Sequence, residues 1–192
     1  MAWIDGIASV RESARAVIEE IAEVVETELS SHVEVPDRAL RLMTEMMGNG
    51  VLDPTDLETL QVVFSDLIAT YPEVSALQYR SFDGKRRLEV FRDSGGTIRA
   101  ISPGKVESVP ESEWYSRWID SPLAGVNEHA FWGPAMVRHD LGVPAVTGSR
   151  PVVDYENRMI GVMAVEVSLV DVSRFLASLK IGLSGECFVV DG

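Results

Sequence analysis

One cysteine, Cys187, serves the whole chain of 192 residues. No internal disulfide can form, so the fold rests on packing alone. Histidine is nearly as scarce: His32, His129 and His139 stand far apart or singly and make no HxxxH or HExxH spacing. No zinc site, and no other metal or cofactor, is expected from such a set. Long apolar runs are missing too. Met159 to Val165 is the longest, against the roughly 20 residues a membrane-spanning helix needs. The start, Met1-Ala2-Trp3-Ile4-Asp5, lacks the basic and apolar regions of a secretory signal. A membrane-bound parent protein would therefore carry its span outside this chain. Basic charge is in short supply, with 17 Lys and Arg against 30 Asp and Glu and a net charge of -13. That excludes a nucleic-acid partner, because phosphate binding needs clustered cations. It also argues against docking on an anionic membrane surface.

Enzyme constellations are absent as well. The sequence has no Gly-x-Ser-x-Gly elbow, and Gly182-Leu183-Ser184-Gly185 lacks the lysine of a phosphate loop. His139-Asp140 would point to opposite faces of a strand. No carboxylate spacing singles out an acid/base pair. No catalytic activity is expected of this chain.

What is present reads first as helix. The length suits one domain, or one domain with an appended element. Val10, Ala14, Val17, Ile21 and Val24 recur at helical spacing from residue 3 to about 32, with Ile18 and Val25 beside them. Such a helix would run roughly 45 Å at 1.5 Å per residue. It is either an ordinary amphipathic helix or a spine for dimerisation. A second helix is expected from Pro36 to Met47, ending at Gly48-Asn49-Gly50. A third is expected after Asp53, with Asp53 as its N-cap and Pro54 in its first turn, to Tyr71-Pro72.

The texture then changes to strands. Val74 to Phe82 and Arg87 to Arg92 alternate around Asp83-Gly84, and Thr97 to Ile101 follows the turn Asp93-Ser94-Gly95-Gly96. A short helix is expected over Glu111 to Asp120 and a strand over Phe131 to Arg138. Pro151-Val152-Val153 and Met159 to Val165 read as a hairpin about Asp154, with Glu166 directly after it. Ser168 and Asp171 look like a capping pair for a last helix ended by Gly182. Another hairpin is expected to start at Val190-Asp191-Gly192.

Aromatics make up only 7% of the chain, yet Trp114, Tyr115, Trp118, Phe131 and Trp132 fall together. They mark either a core plug or one wall of a pocket. Trp114 and Trp118 share a helical face, and Trp132 could pass beneath it on its strand. Glu166 needs solvent or a partner, for which a cationic ligand group or Arg150 would serve.

The order of elements, with Trp114-Tyr115 and the run from Thr147 to Asp191, resembles the double Cache family of PAS-like extracytoplasmic sensor domains in bacterial receptors. The resemblance covers nearly the whole chain. It implies an α+β fold, a long N-terminal helix packed on a PAS-like antiparallel sheet. It implies a helical region over 1–72, a sensor domain over 73–170, and a linking helix with the start of a membrane-proximal unit over 171–192. It further implies a membrane-anchored parent, an extracytoplasmic (periplasmic) location on an inner-membrane protein, and an output module outside this chain. That module would be a histidine kinase, chemoreceptor, diguanylate cyclase or adenylate cyclase, the cyclase-linked versions being the most similar. The ligand would be a small molecule; Trp114 and Tyr115 carry over from the family and Glu166 by charge alone, while Trp118, His129, Trp132, Met136 and Arg138 are further candidate contacts from this sequence. The amino-acid-binding branch has Arg-x-Trp-Tyr where this chain has Ser112-Glu113-Trp114-Tyr115. It has Pro-Tyr-x-Asp where this chain has Pro134-Ala135-Met136-Val137, and an aspartate at Glu166. An ordinary amino-acid ligand does not follow. The alternative is an interaction module that fills its own pocket and forms a homodimer through the long helix.

Overall fold

A computed structural model describes residues 2–101, 113–120, 130–137 and 143–178. Helix α1 runs unbroken from Ala2 to Gly48, with Pro36 inside it. The two helices expected on either side of Pro36 are therefore one. Proline's fixed φ suits a helix; its cost is one lost hydrogen bond and a steric clash. Burial of Pro36 itself and of Ala39, Leu40, Met43 and Met47 just beyond it offsets that cost. The helix stops at Gly48, and Gly50 takes a φ of 73° in the turn that follows.

Helix α2 spans Leu57–Thr70. Its N-cap is Asp56, not Asp53. The Asp56 carboxylate accepts from the Thr59 backbone N–H at 3.1 Å and from the Thr59 hydroxyl at 2.6 Å. Asp53 instead caps a preceding turn through the Thr55 N–H at 2.8 Å. Both aspartates are good caps; the turn at Pro54-Thr55 takes the first and delays the helix by three residues.

The sheet has seven strands: β1 (Ala76–Ser81), β2 (Arg87–Arg92), β3 (Ile98–Ile101), β4 (Phe131–Trp132), β5 (Met136–Val137), β6 (Pro144–Val153) and β7 (Met159–Ser168). The order is β3-β2-β1-β7-β6-β4, with β5 also on β6, and every pairing is antiparallel. The single strand expected over Phe131 to Arg138 is two short ones. Pro134 has no N–H for the ladder, so pairing lapses around it. Helix α3 spans Glu113–Asp120 and α4 spans Leu169–Ser178. Ser168 caps α4 through the Val170 N–H. The hairpin start at Val190-Asp191-Gly192 and the helix end at Gly182 lie outside the described residues.

Period-two alternation gives the sheet two different faces. Leu77, Tyr79, Leu88, Val90, Val152, Met163 and Val165 point to one side and meet Leu40, Met43 and Met47 of α1 and Leu60, Phe64 and Ile68 of α2. This is the main core. On the other side, α3 packs against β6 and β7.

Three hairpins turn on an aspartate. Asp83 accepts from the Lys85 N–H, Asp93 from the Gly95 and Thr97 N–H groups, and Asp154 from the Glu156 and Arg158 N–H groups. A residue with positive φ completes each turn: Gly84, Gly96 and Asn157. These Asx-type turns fix the register of the strands they join.

Candidate functional site

The face beneath α3 is built from cross-strand rows. One row reads Phe91, Ala76, Glu166, Thr147; the next reads Glu89, Gln78, Ala164, Ser149, Phe131; the third reads Arg87, Arg80, Val162, Pro151. Its middle is polar and buried. Gln78, Glu89 and Glu166 are 6%, 4% and 6% exposed, and Ser149 is wholly buried. Burying such groups is costly unless each finds a partner. The Gln78 amide donates to Glu166 Oε1 at 2.5 Å, and Arg87 Nη2 lies 3.2 Å from Glu89 Oε2. Glu166 thus does not face water. Arg150 is not its partner either: it sits on the helix side of β6, in the field of Asp37, Arg41 and Glu45. Residues 149 and 150 are neighbours on a strand and so face opposite ways.

Two aromatic anchors seat α3. Tyr115 and Trp118 are 4% and 6% exposed and pack on Val162. The Tyr115 hydroxyl lies 3.0 Å from the Ser81 carbonyl oxygen and 3.1 Å from that of Phe82, so it pins the helix to the β1–β2 turn. The Trp118 indole N–H donates to Ser149 Oγ at 2.9 Å. The Arg80 guanidinium stacks 4.1 Å from the Tyr115 ring centre, and Arg117 lies 3.6 Å from that of Phe131. Trp114 meets Tyr115 edge to face, with ring centres 5.9 Å apart, and is only half-buried.

Of the residues expected to line a site, Trp114, Tyr115 and Trp118 come together over Val162, and Glu166 lies on the same face two cross-strand rows away. The polar atoms of Tyr115 and Trp118 are spent on protein groups, which leaves their rings to form a wall. Trp132 does not join them. It lies on the helix side, stacked against Gly148, where an added Cβ would sit 3.0 Å from its ring. Phe131 is the aromatic that meets α3, because adjacent strand residues alternate and residue 131 pairs with Ser149. Met136 pairs with Ala145 towards the Ser168 end of the sheet and is 58% exposed. His129 and Arg138 lie outside the described residues.

Sequence reasoning missed Gln78, Glu89, Ser149 and Arg80. Their alternation with Leu77, Tyr79, Leu88 and Val90 was visible, but alternation ordinarily marks a solvated face. Among the described residues, no group of three or more His, Cys, Asp and Glu could hold a metal ion. No described helix is long and apolar enough to cross a membrane.

No protein-family model and no curated protein sequence matches this chain. Solved structures do. A methyl-accepting chemotaxis protein X superposes with a TM-score of 0.65 at 17% identity, over 87% of this chain and 65% of that one. This is the PAS-like Cache fold. The extracellular domain of a protein described as a histidine kinase, mmHK1S-Z3, shares it with a TM-score of 0.61 at 14% identity, over 87% of this chain and 63% of that one. So does the ligand-binding domain of the Campylobacter jejuni chemoreceptor Tlp3, in complex with 4-methylisoleucine, at 0.55 and 12% identity, over 88% and 61%. The chain therefore spans somewhat less than two thirds of the length of these Cache-fold structures.

Proposed function

We propose that this chain is the small-molecule-sensing region of a membrane-anchored signalling receptor, with its ligand held between α3 and the polar face of the sheet. One observation carries the reading: Gln78, Glu89, Ser149 and Glu166 form a buried polar strip on the sheet face against which the aromatic helix α3 packs at Ser149 and Val162. A sheet face that served only as core would be apolar, as the opposite one is. The Campylobacter chemoreceptor domain with this fold is described with 4-methylisoleucine and with L-valine bound, which supports a site in the same kind of frame. Trp114 would form one wall, with the Tyr115 and Trp118 rings behind it, and Glu166 and Gln78 would be the polar contacts. The receptor would place this region on the periplasmic side of an inner membrane. Its output domain would be a kinase, cyclase or chemotaxis module elsewhere in the protein. Signalling would follow from unequal affinity for two arrangements of α1.

Thermal melting across amines, amino acids, organic acids, sugars and nucleosides tests this. A compound at 100 times its Kd adds about 2.7 kcal/mol, a shift of a few degrees for a domain of this size. The shift should vanish in folded Trp114→Ala and Glu166→Gln variants. A shift that survives both places the ligand elsewhere.

The alternative, a homodimer through α1, draws support from Val17 and Val24. They lie two helical turns apart on one side and are 53% and 50% exposed. Sedimentation of the parent and of a Val17→Asp/Val24→Asp variant decides it. A dimer that becomes monomeric without losing thermal stability supports the interface; a monomeric parent removes it.

A further inference from the structure

Asp37, the residue after Pro36, occupies an unusual position. Its carboxylate oxygen Oδ1 accepts a hydrogen bond from the Ala130 backbone N–H at 2.8 Å, across 93 residues of sequence. It also lies in the charge field of Arg150. Arg150 belongs to β6 and Ala130 directly precedes β4, the two strands whose Ser149 and Phe131 meet α3. Ala130 precedes Phe131, whose ring carries Arg117 of α3. Arg150 follows Ser149, which accepts the Trp118 indole N–H. Phe131 and Ser149 are themselves direct cross-strand partners. Alternation along β6 thus puts Ser149, which holds the aromatic helix, on one face and Arg150, beside Asp37, on the other, and the backbone N–H that Asp37 accepts comes from the residue directly before Phe131.

The place on α1 matters as much. Described side chains from Arg15 to Val35 are exposed or half-buried, and Pro36 is the first buried one. Pro36 also removes a helical hydrogen bond at that point. The first buried side chain among the described residues of α1 thus stands next to Asp37, whose carboxylate accepts from the Ala130 N–H.

We propose that Asp37 is a positioning residue that couples the aromatic helix α3, through β4 and β6, to the direction in which α1 leaves the domain at Pro36. The inference deepens the sensing reading, since it names the part that would transmit occupancy of that site. The coupling itself is independent of any ligand, so it is tested without one.

Spin labels at Glu26→Cys and Leu42→Cys, both exposed positions on opposite sides of Pro36, report the bend of α1 by pulsed EPR in a Cys187→Ser background. Ser149→Ala removes the acceptor of the Trp118 N–H and should move the modal label distance by more than the rise of one residue, about 1.5 Å. Trp118→Phe removes the donor, keeps a ring, and should do the same; it stands in if Ser149→Ala does not fold. Asp37→Ala should shift the distance by itself and make it indifferent to the change at Ser149. Asp37→Asn, which keeps an acceptor for the Ala130 N–H, should behave as the parent does. An unchanged distance in both folded α3-side variants overturns the proposal. So does an equal shift from Ser149→Ala with and without Asp37. Neither result would bear on whether the face beneath α3 binds a ligand, which melting experiments read separately.

Discussion

Among the described residues, Tyr79 is the largest fully buried side chain, 2% exposed in the middle of β1. Its hydroxyl makes a long contact, 3.5 Å, with the Ile160 carbonyl oxygen. Burial pushes its pKa up from 10.0 to about 12. The folded value exceeds the unfolded one, so the stabilisation is complete below about pH 10 and drains away between about 10 and 12. Two units correspond to a loss of roughly 3 kcal/mol. Chemical denaturation at a series of alkaline pH values should show this loss, and Tyr79→Phe should lessen it while changing little at neutral pH. An identical alkaline slope in the variant would contradict the assignment. Gly161 lies against the same ring. A Cβ there would sit 2.6 Å from Tyr79 Cε2 and 2.7 Å from the Arg80 carbonyl oxygen. Gly161→Ala should cost about 1–3 kcal/mol, read from the denaturation midpoint at neutral pH. A second change, Tyr79→Leu, should not restore the loss, because the backbone oxygen remains in the way.

The hairpins make their own prediction. Asp154 has its pKa lowered, first by the Arg158 backbone N–H and then by the Arg158 side chain and the Glu156 N–H. Asp93 is lowered first by Arg99, and Asp83 first by the Ser81 hydroxyl. A depressed folded-state pKa stabilises above the unfolded value and ceases to do so as pH falls through the folded one. NMR titration should place all three carboxyls below 3.8. Asp154→Ala should remove the corresponding part of the acid transition and loosen the β6–β7 register. The turns were legible in the sequence because Asp, Gly and Asn act locally, on N–H groups two to four residues away. The unbroken α1 was not legible. Whether a helix passes through Pro36 depends on what Ala39, Leu40, Met43 and Met47 can bury beyond it, and β6 and β7 supply that surface from more than 90 residues downstream.

On the scale of the molecule, charge is the open variable. A net charge of -13 repels itself in any compact state. Raising salt from about 10 mM to about 150 mM shortens the screening length from about 30 Å to about 8 Å. The melting temperature should rise over that range. A fall would mean that surface ion pairs such as Arg158 with Asp154 and Glu156 outweigh the general repulsion.

The sequence by itself determined the helical entry, the alternating strands, the aspartate turns and the aromatic helix, because each depends on propensity and spacing within a few residues. Its likeness to a Cache sensor followed from the order of those pieces. Only the tertiary structure decided which side of each strand met which helix. It turned Phe131 rather than Trp132 towards α3, sent Arg150 to the helix side, and gave Glu166 to Gln78. It also buried Gln78 and Glu89, where alternation alone would have left them in water. A strand's period of two says that neighbours part company, but which neighbour goes inside is fixed by pairing with strands far away in the chain.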